Sequence, residues 1–145
     1  MKLTTQALLA GMAEALDERI RPAIADPFTA DAARMAASVV RIAALASDDA
    51  AAIRVEENAR IRLLLERGAA AVGDASLAGR LASAAARPDP GYRISELDAA
   101  NGELRMALIA LHAWLEEHRS PAAAELDIEI WRALRDFEMA RAPRA

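Results

Sequence analysis

Apolar residues return every three or four positions along most of the chain, the period of helices that bury one face. Leu8, Leu9, Met12, Leu16 and Ile20 form a first stripe. Thr4 or Thr5 can cap that helix, and Pro22 ends it near Arg21. "RPAIADPF" is a connection with two prolines. Thr29 or Asp31 then opens a second helix, with Met35, Val39, Ile42 and Ala46 as its expected inner face. Ser47–Asp49 reads as a short turn, Ser47 or Asp48 capping a third helix that runs to Arg67, with Gly68 or Gly73 to end it. An alanine-rich fourth helix is expected over about 76–86. "RPDPGY", Arg87–Tyr92, is the clearest loop. Ser95 with Asp98 reads as a capping pair for the longest helix, which runs to about His118. Ser120 as cap and Pro121 at the first helical position restart the chain for a last helix to about Ala140, and the closing "RAPRA" is expected to fray. β-branched residues are few and no period-2 alternation persists, so no strand is expected. The pattern therefore predicts an all-α fold. It is a compact single-domain bundle over 1–145 of five or six antiparallel helices without a sheet, with loops 22–28 and 87–94 as places for a crossover.

Polar residues interrupt these faces at particular places. On a wheel of 100° per residue, Ile53, Ile61, Leu64, Leu65 and Gly68 share one face of the third helix. Arg54 points into its middle, Glu57 and Asn58 sit on its two edges, and Arg62 lies beyond Asn58. In the long helix Leu97, Leu104, Ala107, Leu108, Leu111 and Leu115 share a face. Asn101 flanks that face, Arg105 lies beyond it, and His112 and then Glu116 continue the edge. Asn, two residues, an aliphatic and Arg thus occur twice, at Asn58–Arg62 and Asn101–Arg105. Arg34, Ser38 and Arg41 edge the second helix. Buried amides and charges are costly unless paired, so these edges should find one another. Arg54, Glu57, Asn58, Asn101 and Arg105 can form a structural network that fixes helix register. Alternatively, Arg34, Arg41, Asn58, Arg62, Asn101, Arg105 and His112 line a cleft for an anionic or acyl-type metabolite.

Composition removes most catalytic chemistry from consideration. The 145 residues contain no cysteine, which excludes disulfides, thiolate metal sites and cysteine nucleophiles. The formal net charge of −4 is spread without a basic block, so neither nucleic acid nor a membrane surface is an expected partner. The opening segment lacks a clean apolar run of signal-peptide length, and no stretch reaches the ~20 apolar residues of a membrane span, so the cytoplasm is the expected location. His112 and Glu116 share a helix face, but a transition-metal site needs three or four ligands, and no metal is expected. The glycines are scattered with no phosphate-loop spacing, the serines lack a nucleophile-elbow context, and Glu56/Glu57 and Glu116/Glu117 diverge on their helices. No catalytic constellation and no cofactor follow. Trp114 and Trp131 flank the stripes of the last two helices, either covering the core or forming a seam for self-association.

"LLAGMAEALDERIRPAI" followed by "DPFTADAARMAASVVRIAA" resembles a bacterial family of small helical proteins without an established activity. Their genes often sit beside aminoglycoside-phosphotransferase-like kinases and acyl-CoA dehydrogenases. The matching features are the leucine-rich opening helix, Arg-x-x-Pro at Arg19–Pro22, and "ARMAAS" at Ala33–Ser38, where Ser38 replaces the family's usual amide. The likeness stops near residue 45 and implies an accessory protein of a kinase or acyl-CoA pathway. The expected role is that of a non-catalytic binding or accessory protein, working as a homodimer. A small-molecule-binding enzyme subunit built on the Arg/Asn cleft is the rival.

Overall fold

Alanine, leucine, arginine and glutamate dominate the chain, and all are strong helix formers. The computed structural model describes residues 3–142, which are mostly helical with no strand among them. Helix α1 spans Thr5–Ala15, and Thr4 caps it by accepting the Ala7 N–H at 3.2 Å. A π-helical turn over Leu16–Ile20 and a 3-10 turn over Arg21–Ala23 extend it, with Pro22 inside the last turn and extended backbone at Ile24. Helix α2 spans Pro27–Ala71, α3 Ala75–Ala86, α4 Ile94–Glu117 and α5 Pro121–Arg141. Asp74 and Ser120 cap α3 and α5 by accepting the Leu77 and Ala123 N–H groups. The all-α class holds. Residues 143–145, within the segment expected to fray, lie outside the described residues.

Several boundaries differ from those expected. Ser47–Asp49 is not a turn: α2 runs through it, joining the expected second and third helices. None of the three residues is a glycine or proline, and Ser47 Oγ donates back to the Ala44 carbonyl at 2.8 Å, so its hydroxyl is satisfied without a break. Neither Thr29 nor Asp31 opens α2. Asp26 accepts from the Thr29 N–H at 2.8 Å and from its hydroxyl, ahead of Pro27 at the first helical position. Ser95 does not cap α4, which starts at Ile94 after an extended Arg93, and Asp98 is instead ion-paired with Arg54 at 2.8 Å. Gly68 does not end a helix. It lies buried inside α2, where an added Cβ would collide with the Leu111 side chain.

The chain packs as two compact units, one reaching to Ala50 and one over Ala51–Ala142. In the first, the described residues that are fully buried are Ala13, Ala37 and Ala44. Ala13 belongs to α1, while Ala37 and Ala44, with half-buried Ala30 and Ala33, lie on one side of the α2 wheel. Asp17 closes the unit by accepting from Arg41 at 2.6 Å and Arg21 at 2.8 Å. Arg41 foremost, then Arg21, holds the Asp17 carboxyl below its ordinary range against some desolvation. The expected inner face of this stretch is turned outward: Met35 is 58% exposed and Val39 64%, and Ile42 and Ala46 are exposed too. Of the α1 stripe, Leu8, Met12 and Ile20 are also exposed.

The second unit has an ordinary core. Ile61, Leu64 and Leu65 of α2 meet Leu77 and Leu81 of α3, the leucine stripe of α4, and Leu126, Ile130 and Phe137 of α5. Residue pairings set the directions. Arg54 meets Asp98 and Glu57 meets Asn101, so this half of α2 runs parallel to α4. Arg60 meets Asp136 and Arg67 meets Glu129, so α5 runs against α2. Helix α3 descends between the two upward helices, and successive helices are antiparallel.

Candidate functional site

Three polar side chains lie within the core of the second unit: Glu57 at 2% exposure, Asn58 at 0% and Asn101 at 5%. Adjacent positions on a helix point 100° apart, so Glu57 and Asn58 flank the α2 stripe and both reach Asn101 on parallel α4. Asn101 Nδ2 donates to Glu57 Oε1 and Asn58 Oδ1, each at 2.9 Å. Arg105, one turn on, donates to Glu57 Oε1 through Nε (2.9 Å) and Nη2 (2.6 Å). From the end of α5, Arg141 donates to Glu57 Oε2 at 2.8 Å and Asn101 Oδ1 at 3.2 Å. Asn58 Nδ2 donates to Asp89 Oδ1 at 2.9 Å and the Leu97 carbonyl at 3.3 Å. Arg62 completes the chain, with 2.6 Å to Asp89 Oδ1 and 2.7 Å to the Arg87 carbonyl.

Both Glu57 oxygens and every polar atom of the two asparagines are engaged, as low-dielectric burial requires. Burial pushes the Glu57 carboxyl up, but bonds from Asn101, Arg105 and Arg141 and the Arg105 charge outweigh it, and the group stays below its ordinary value. Three guanidinium groups, Arg62, Arg105 and Arg141, are set against two carboxylates, Glu57 and Asp89. The cluster ties α2, α4, α5 and the 87–93 loop together. The buried polar atoms of Glu57, Asn58 and Asn101 are directed at one another and at their arginine, aspartate and backbone partners, while Arg62 and Asp89 also border the cavity between α3 and α4.

The sequence-predicted residues separate into four places. Glu57, Asn58, Asn101, Arg105 and Arg62 come together in this cluster. Arg54 stands apart with Asp98. Arg34 and Arg41 belong to the first unit and are ion-paired there, with Asp31 at 2.8 Å and Asp17 at 2.6 Å. His112 pairs across to α5 and not along its own helix to Glu116. Its Nε2 lies 2.7 Å from Asp127 Oδ1, both atoms are buried without another partner, and its ring meets Trp131 edge-on at 5.3 Å. His118 stacks on half-buried Trp114 at 4.3 Å, and Trp131 is exposed. No group of three or more His, Asp or Glu among the described residues could hold a metal ion.

Sequence reasoning missed Arg141 and Asp89. Arg141 follows Phe137 by four positions, so it continues the buried face of α5 into a segment expected to fray. Asp89 lay in a stretch legible only as a loop.

A cavity of about 950 Å³ opens between α3 and α4 beside that loop. Small residues of α3, Ser76, Gly79 and Ser83, line one wall, and Arg62 and Asp89 reach it from the cluster. Arg80 also lines it and has no acidic partner among the described residues. No described helix is long and apolar enough to cross a membrane.

No protein-family model matches the chain, and comparison with curated proteins and with solved structures finds no match either.

Proposed function

We propose that this protein is a non-catalytic interaction protein that self-associates, with the first unit carrying the docking face and the second serving as its scaffold. One observation carries the reading. The first unit fully buries only alanines among its described residues and exposes Phe28, Met35 and Val39, whereas the buried polar groups of the second unit, Glu57, Asn58 and Asn101, are satisfied within the chain. Contiguous exposed apolar surface marks interaction sites. An accessory role also suits the family that the opening segment resembles.

The cavity beside Arg80 supports a second reading, a pocket for a small anionic or acyl-type metabolite. Native mass spectrometry beside the denatured mass separates the two. A dimer without an added mass is the outcome expected here. A monomer carrying a discrete mass that is lost on denaturation replaces it with the metabolite-binding reading.

A further inference from the structure

The exposed face of α2 has a register. Phe28, Ala32, Met35, Val39, Ile42 and Ala46 are spaced four, three, four, three and four apart, the repeat of a coiled-coil seam, and all six are exposed. Alanines 30, 37 and 44 form the opposite, inward side of the same helix. Resting on the self-association reading above, we infer that this seam pairs antiparallel with the same seam of a second copy. In that pairing Phe28 lies against Ala46 of the second copy, Ala32 against Ile42, and Met35 against Val39.

Two observations select this occupant and this direction. Layer by layer, the antiparallel register sets a larger side chain against a smaller one, as interdigitating layers require. A parallel pair would place Phe28 on Phe28 and Ala32 on Ala32, alternately overfilling and emptying the seam. The second observation is charge. The positions flanking the seam are Thr29, Ala36 and Ala43 on one side and Asp31, Ser38 and Leu45 on the other. Antiparallel pairing sets Thr29 against Ala43, Ala36 against Ala36, Asp31 against Leu45 and Ser38 against Ser38. No like charges meet, as a two-fold symmetric contact requires. The alanines also let the helices approach closely.

The paired stretch is ~27 Å long at 1.5 Å per residue. A helix face of that length buries roughly 600 Å² per chain, at the small end of stable interfaces, so the dimer should form in the micromolar range.

The cysteine-free chain allows a direct test. Phe28→Cys and Ala46→Cys are prepared separately, checked for helicity by circular dichroism, and treated with a short bis-maleimide alone and mixed. Met35→Cys with Val39→Cys repeats the experiment at the central layer in case the loss of Phe28 weakens the pair. Mixed samples should cross-link at least tenfold faster than Phe28→Cys alone. Equal cross-linking of Phe28→Cys alone means parallel pairing and overturns the inference. Absent cross-links at both layers, while wild type is a dimer that Val39→Glu dissociates, overturn the register but leave the docking face in place. A dimer that persists in Val39→Glu removes the docking face, and the register falls with it.

Discussion

The two units use alanine and arginine in opposite ways. In the unit over Ala51–Ala142, leucine, isoleucine and phenylalanine fill the interior, and arginines turn inward to neutralise a buried carboxylate. In the unit up to Ala50, the fully buried described residues are alanines, arginines pair at the surface, and Leu8, Met12, Met35, Val39 and Ile42 are left outside. Burial stabilises by about 25 cal/mol per Å² of apolar surface, so an alanine interior contributes far less than a leucine one. The first unit withholds from its own interior several of the side chains that would stabilise it, Met35, Val39 and Ile42 among them. Both units show the same amphipathic period, yet the stripe is a core in one and a surface in the other.

The largest blow to this contrast should come from Glu57→Ala, which removes the buried carboxylate that Arg105 and Arg141 share and leaves Arg105 only the exposed Glu138 at 3.8 Å. The cost expected is roughly 3 kcal/mol, the low end for breaking a buried pair because both arginines are partly exposed, read as a lowered urea midpoint at unchanged m. Arg105→Ala should destabilise the fold in the same assay. If it leaves the midpoint unchanged but removes a bound metabolite, the cluster is a ligand site.

Gly68→Ala comes next. The methyl group meets Leu111, and the overpacking should exceed the gain in helix propensity, for a net loss of about 1–2 kcal/mol in thermal unfolding.

Acid sharpens the comparison further. The Glu57 carboxyl is held below its ordinary value in the fold, so it contributes stability above its unfolded pKa of ~4.3, and that contribution is lost as pH falls through the folded value. Glu57→Gln should therefore show a smaller stability loss than wild type between pH 6 and pH 3. Equal losses would place the acid sensitivity in other carboxylates, such as Asp17 or Asp136.

The smallest effect belongs to the first unit. Val39→Ala at sub-micromolar concentration should change unfolding by no more than ~0.5 kcal/mol, as for other exposed positions, while weakening association at higher concentration. A core-sized loss in the dilute protein would show that Val39 is buried within its own chain.

The sequence made the helices legible because period, caps and prolines are local signals. Ser120–Pro121 and Thr4 act as read. Ser47–Asp49 misled because serine and aspartate favour caps without forbidding a helix, and the Ser47 hydroxyl has a backbone partner inside α2. Asn58, Asn101, Glu57 and Arg105 stood out because polar residues on apolar edges need partners, and they found one another. Which side of the early α2 stripe faces inward was not legible: an alanine side and a Met/Val/Ile side both suit a helix interface. Arg141 illustrates the remaining limit, since its role depends on α5 reaching back to Glu57 across 84 positions of sequence.

Sedimentation equilibrium of wild type and Val39→Glu, from one to one hundred micromolar, tests the docking face most directly. Wild type should approach twice the 15.5 kDa chain mass with rising concentration, and Val39→Glu should stay at the single-chain mass. Equal masses for the two proteins throughout that range would contradict it.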